Sequence, residues 1–253
     1  MIGPLLVLAG LGAIGVGCWK LRPAYHVSRG DTDDVVAIER ATGPVELEGT
    51  ASVVDGTVTA PLTKRDCLAY EYAVEEYQSS GKHSSWNTVE TGSGAVRFRL
   101  EDETASVQVD PDGATLALTT ATTVEVDGGE PEPDPIKEFL ETESDLESEN
   151  TALDLRVVEI ATGNDRRYHE RRLEAGDDVY VLGHSRYDVD ARETMRDVSA
   201  VIEDGPETPA FVVSDSSQDG AARLLVKPIL PWLAGGLVVT LLGGWLATPT
   251  GLF

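Results

Sequence analysis

Sulfur and lysine are scarce in these 253 residues, and charge is missing from both ends. There are two cysteines, Cys18 and Cys67. Two thiols cannot build a disulfide framework, a four-cysteine zinc site or an iron–sulfur site. Lysine occurs five times against fifteen arginines, and together they face 44 acidic residues, for a net charge of −24. Such a surface repels phosphate, so sequence-independent binding of nucleic acid is excluded. Acid excess with little lysine suits a salt-saturated cytoplasm, where ionic strength screens the self-repulsion, and points to a halophilic microbe. No G-x-S-x-G, H-E-x-x-H or P-loop is present, and Pro111-Asp112-Gly113 lacks the ligand spacing of a calcium loop. No cofactor and no metal are therefore expected.

Residues 1–19 and 228–253 carry no Asp, Glu, Lys or Arg, which confines every charged side chain to the stretch from Lys20 to Lys227. Ile2 to Trp19 is an apolar run long enough, at about 1.5 Å per residue, to cross a bilayer. It lacks the basic n-region and the small-x-small site of a cleaved signal and reads as an uncleaved anchor. Ile229 to Leu246 is the second run, with Trp232 and Trp245 near its ends. Three segments are thus expected: a helix over 1–19, an acidic domain over 20–227 and a helix with a short tail over 228–253. Small residues recur four apart at Ala9, Ala13 and Gly17 and at Gly236, Thr240 and Gly244. Such stripes allow close helix packing, including between copies of the chain, although glycine is common in membrane helices anyway. Lys20, Arg22 and Arg29 follow the first run, and Arg223 and Lys227 precede the second. The positive-inside rule then sets a multi-pass protein of the cell membrane, its central domain cytoplasmic and both termini outside.

The central stretch alternates with period two. A short helix is expected over Thr32–Ala41 and a hairpin about Asp55-Gly56, joining Thr50–Val54 to Thr57–Ala60. Half-buried strands are expected over Cys67–Tyr77, Ala95–Glu101 and Ala105–Val109. Gly128–Pro135 has the composition of a linker, and an acidic surface helix follows. Further strands are expected over Leu153–Ile160, Arg167–Leu173, Val179–Leu182, Val198–Glu203 and Ala210–Val213, with a short helix within Tyr187–Arg196. This pattern is an α+β, β-rich fold: an antiparallel sheet or partly closed barrel between two transmembrane helices.

Two places carry candidate binding residues. Gln78–Trp86 reads as a polar loop with Lys82, His83 and Trp86, suited to contacting a protein partner, or as a hairpin connection whose Trp86 closes the core. Arg166–Arg172 is the densest basic cluster; Arg167, His169 and Arg171 could dock an acidic partner or lipid headgroups, or neutralise neighbouring carboxylates. Cys67 starts a strand beside Leu68 and Ala69 and reads as a small core residue. A cryptic thiol or hydrolytic enzyme built on it is the remaining catalytic option.

Taken together, several stretches resemble a known family. In order they are Val45-Glu46-Leu47-Glu48-Gly49-Thr50-Ala51; Pro61-Leu62 and Cys67-Leu68-Ala69-Tyr70; Tyr77 and Trp86; Val96-Arg97-Phe98-Arg99-Leu100; Glu170 through Val179; and Phe211-Val212-Val213-Ser214-Asp215, all between the two apolar runs. The order resembles the GIDE domain, also called BAM for "beside a membrane". That domain occurs in mitochondrial outer-membrane E3 ubiquitin ligases and in prokaryotic relatives, haloarchaeal ones included. The resemblance implies a substrate-recognising role. Ubiquitin transfer in those ligases relies on a separate RING with about eight Cys and His zinc ligands, and no cysteine follows Cys67 here. The expectation is a membrane-anchored, non-catalytic partner-binding or scaffold protein. A component of a membrane E3 ubiquitin-like ligase system, with catalysis supplied by a partner, is the alternative.

Overall fold

The computed structural model describes residues 2–247 except 28–31, 41, 81–82, 145, 147–151, 155–158, 162, 192–193, 206–207, 209 and 228. Helices α1 (Ile2–Lys20) and α2 (Arg22–Val27) open the chain, and a 3₁₀ helix covers Val35–Arg40. Strands β1 (Gly43–Val53), β2 (Val58–Thr59), β3 (Asp66–Cys67), β4 (Ala69–Ser80), β5 (His83–Ala95), β6 (Phe98–Glu101), β7 (Ser106–Val109), β8 (Thr115–Ala117) and β9 (Thr120–Val126) follow. After α3 (Asp134–Thr142) come β10 (Ala152–Asp154), β11 (Glu159–Ala161), β12 (Arg166–Leu173), β13 (Asp178–Tyr187), β14 (Asp197–Glu203) and β15 (Val212–Ser214). The described chain ends with α4 (Gln218–Val226) and α5 (Leu230–Ala247).

Five strands close into a barrel in the order β1-β6-β7-β14-β13, with β13 pairing back to β1. Only the β7–β14 pair within that ring is parallel. Strands β15 and β8 extend the sheet from the first half of β13. The alternation read from the sequence places Leu47, Phe98, Leu100, Val107 and Val181 in one buried cluster. On β13 the opposite face is buried too: Tyr180 and Leu182 pack with Val27, Val212 and Ala221, beneath α2 and α4. Glu46 accepts a 3.0 Å hydrogen bond from the Tyr180 hydroxyl. Burial and that carboxylate push the phenol above its ordinary pKa.

A second sheet, ordered β5-β4-β12-β9, is antiparallel throughout. Its inner face carries Val74, Val126 and Tyr168 against Ile136, Phe139 and Leu140 of α3, with the Tyr72 and Phe139 rings edge to face at 5.0 Å. The acidic helix expected after the proline-rich stretch is therefore a packed one, its buried stripe spaced at i, i+3 and i+4. The stretch itself is a turn between β9 and α3.

Several local expectations are corrected. The strands flanking Asp55-Gly56 do not pair with each other. β13 takes one part of β1 and β6 the next, and Val58–Thr59 pairs instead with Asp66–Cys67. The helix expected at Thr32–Ala41 is a six-residue 3₁₀ helix whose first amide, on Val35, donates to the Asp102 carboxylate at 2.8 Å. Burial alone would raise the Asp102 pKa, but hydrogen bonds from Val35, Thr104 and Ala105 outweigh it and hold the group below its ordinary value. β7 is buried on both faces, because Ser106 donates to Asp197 at 2.7 Å and Gln108 to the Ala191 carbonyl at 3.0 Å. The single strand expected over Leu153–Ile160 is instead two short strands paired antiparallel, Ala152 opposite Ala161.

Helix α1 is long and apolar enough to cross a bilayer; α5 meets the same measure only together with α4, across a 41° bend. The two apolar helices pack on each other through glycine. A Cβ at Gly236 would stand 2.9 Å from the Gly10 carbonyl, one at Gly243 2.8 Å from that of Gly3, and one at Gly17 2.6 Å from Leu233. The contact thus uses Gly3, Gly10 and Gly17 against Gly236 and Gly243, seven apart. Of the four-residue stripes expected from sequence, Gly17, Gly236 and Thr240 lie in this contact, whereas Ala9 is exposed and a Cβ at Gly244 would meet nothing within 4 Å. A seven-residue period keeps one seam in contact along a left-handed helix pair.

Candidate partner-binding surface

β12 is a strand of seven charged or aromatic polar residues ended by Leu173, and alternation sorts them. Arg166, Tyr168, Glu170 and Arg172 turn toward the buried side; Arg167, His169 and Arg171 are half-exposed on the other. The charged members of the buried set, Arg166, Glu170 and Arg172, are paired within the fold. Glu170 is fully buried and accepts from the Leu62 and Thr63 amides at 2.8 and 3.2 Å, from the Thr63 hydroxyl at 2.5 Å and from Arg172 at 2.6 Å. Arg166 pairs with Glu76 at 3.2 Å. A buried carboxylate held by four donors anchors the 61–63 turn onto β12.

The outer set forms a ladder with acids from both neighbouring strands. Arg167 pairs with Glu125 of β9 at 2.7 Å, His169 with Glu75 of β4 at 3.1 Å and Arg171 with Glu71 of β4 at 3.6 Å. The other His169 ring nitrogen lies 3.0 Å from the Thr123 hydroxyl. Burial holds the Glu71 carboxyl above its ordinary range against the pull of Arg171. The basic cluster is therefore neutralised in place, by carboxylates that lie opposite it in the strand register.

Trp86 closes one end of this ladder. Of the stretch Gln78–Trp86, residues 78–80 and 83–86 are the paired ends of β4 and β5, as the hairpin alternative has it, in register from Tyr77 opposite Trp86 to Ser80 opposite His83. The Trp86 ring packs at 5.2 Å against Tyr77, tilted by 54°, and the Arg167 guanidinium lies 3.9 Å from its centre. A cation at that distance over an indole face is attracted by the ring quadrupole. Trp86, Arg167, His169 and Arg171 thus share one face, and Trp86 remains half-exposed at its edge. Lys82 lies outside the described residues, and only the backbone of His83 is placed, at the start of β5. Sequence reasoning missed Glu125 and Thr123 as members of the face, and had Tyr77 beside Trp86 only through the family resemblance. The alternation of Glu71 and Glu75 was a usable signal for the acids of β4.

Cys67 is buried to 1% exposure, and its thiol approaches the Val58 carbonyl at 3.4 Å. Burial first, then the charge of Glu170, pushes it up to about 11 against the opposing pull of Arg172. A thiol so protonated and enclosed is a poor nucleophile at neutral pH. Among the described residues no three His, Cys, Asp or Glu side chains converge as metal ligands.

Barrel, ladder sheet and paired glycine-rich helices define a β-rich α+β domain carried between two apolar segments. The chain belongs to the GIDE family: that family's model, described as an E3 ubiquitin ligase, matches residues 69–247. No curated protein and no solved structure matches the chain.

Proposed function

We propose that this GIDE-family chain is a membrane-anchored, non-catalytic module that recruits a protein partner to the membrane, with the Trp86 end of the ladder sheet as its contact. The observation that carries the reading is the pairing of α1 with α5, which brings Lys20 and Lys227 to the same end of the apolar pair and leaves the domain beyond them. Cations at that end favour a cytoplasmic domain with both termini outside. The half-exposed Trp86 with its flanking Arg167 supports contact there, since tryptophan and arginine dominate binding energy at interfaces. The two cysteines and four histidines of residues 1–253 are fewer than the eight ligands of a two-zinc RING, so the role we propose for these residues is recruitment.

Photo-crosslinking from position 86 in intact cells tests this. A discrete protein adduct from position 86, lost when the crosslinker is moved to Asp112 on the Pro111–Gly113 turn, is expected. No adduct above background from either position 86 or position 171 overturns it, and a reporter fused after Phe253 that proves cytoplasmic overturns the topology. Membership of a family described as E3 ubiquitin ligases favours a second reading, a subunit of a ubiquitin-like conjugation system. Deletion that leaves every cellular conjugate unchanged removes it.

A further inference from the structure

A recess of about 760 Å³ lies where the apolar helices meet the domain. Lys20, the last residue of α1, and Lys227, just after α4, line one side, and Arg171 of the ladder lines the other. Leu224, Leu225 and Ile229 supply an apolar wall. Two of the five lysines in a chain of net charge −24 converge on this place. Against three cations stands one lining carboxylate, Glu71, already paired with Arg171. Asp215, whose charge reaches Glu71, is turned onto the amide and hydroxyl of Thr119. Both lysines are exposed, and the Lys20 ammonium lies 5.9 Å from the centre of the Trp232 ring, at the start of α5.

We propose that this recess binds the headgroup phosphate of an anionic phospholipid, with Lys20, Lys227 and Arg171 as its cationic partners and the leucine wall against the glycerol and first methylenes. Charge complementarity selects the phosphate, and an apolar wall continuous with two apolar helices selects a lipid over a free anion. The site rests on the membrane-anchored reading above. Elsewhere the acidic domain repels an anionic bilayer, so a basic recess at the helix base fixes the height and tilt at which the domain stands.

The test uses the full chain in nanodiscs of equal parts phosphatidylglycerol and phosphatidylcholine, with retained lipid read by native mass spectrometry. The chain is expected to retain one phosphatidylglycerol with a preference of about tenfold, equivalent to about 1.4 kcal/mol. The double variant Lys20→Gln/Lys227→Gln, which removes no ion pair among the described residues, should lose that preference, whereas Arg65→Gln, outside the lining of the recess, should keep it. Equal retention of both lipids by the unmodified chain, an unchanged preference in the double variant, or displacement by glycerol phosphate as effective as by the lipid each overturns the site. Entry into the discs without a lipid preference sinks this site alone. A chain that stays monodisperse without detergent and enters no disc sinks the membrane-anchored reading with it.

Discussion

Cys67 shows how one side chain's surroundings decide between catalysis and packing. Its folded pKa is raised from 9.0 to about 11, by burial and then by Glu170. The protonated thiol is the form the fold stabilises. This contribution is complete below the unfolded value of 9.0 and disappears as pH rises through about 11. The thermal midpoint of the full chain should therefore fall between pH 9 and 11. The Cys67→Ala variant, less stable at pH 8 through its cavity, should fall less steeply, so the gap between the two closes. That rise leaves about a hundredfold less thiolate at pH 8, so alkylation of Cys67 in the folded chain should run about a hundredfold slower than in urea. Equal alkylation rates folded and unfolded would restore a thiol enzyme as a reading. That Cys67 belongs to the core was legible from Leu68 and Ala69 beside it. The fate of Arg167, His169 and Arg171 was only half legible: alternation put them on one face, but Glu71 and Glu75, their partners on β4, lie more than ninety residues away in sequence.

At the scale of elements, local signals worked where a segment's own neighbours decide its state and failed where distant strands compete for it. Pro111-Asp112-Gly113 is the turn it reads as, with Gly113 at φ +80° and the Ala114 amide donating to the Pro111 carbonyl at 3.0 Å. Asp55-Gly56 carries an equally strong signal, yet no hairpin forms there, because β13 and β6 already occupy the backbone of β1. The apolar helices were legible from length and absence of charge, but their contact seam only in part: Gly17, Gly236 and Thr240 belong to it, whereas the seven-residue spacing is hidden because stripes four and seven apart overlap in so glycine-rich a sequence. The seam can be tested by neighbours. At Gly236 an added Cβ would meet Ile14 at 2.8 Å and the Gly10 carbonyl at 2.9 Å, whereas at Gly235 nothing lies within 4 Å. Gly236→Leu should then destabilise the full chain in detergent by about 1–3 kcal/mol, the usual cost of overpacking. Gly235→Leu should leave the thermal midpoint nearly unchanged. Equal shifts in both variants would mean that α1 and α5 do not pair through this seam.

The closed barrel and the charge of the whole chain belong to one problem of stability. Closure joins β1 to β13 and β7 to β14, pairs separated by some ninety residues or more, and no window of sequence displays them. The surface of the chain so folded is acidic, since its 44 acidic side chains outnumber 20 basic ones. Salt acts on that surface in two opposing ways. It weakens the exposed ion pairs, such as Arg97 with Asp110 and Arg186 with Glu203, each worth about 0–1 kcal/mol. It also relieves the repulsion among the 24 surplus negative charges, as the Debye length shrinks from about 10 Å at 0.1 M to about 3 Å at 1 M. Repulsion acts among all surplus charges at once, whereas each pair acts alone, so relief should win. Raising potassium chloride from 0.1 M to 2 M should lift the thermal midpoint by about 5 °C or more, at roughly 2–4 °C per kcal/mol for a chain of this size. Much of the rise should come below 1 M, where screening changes fastest, and a flat or falling midpoint would show that the acidic surface is already balanced without salt.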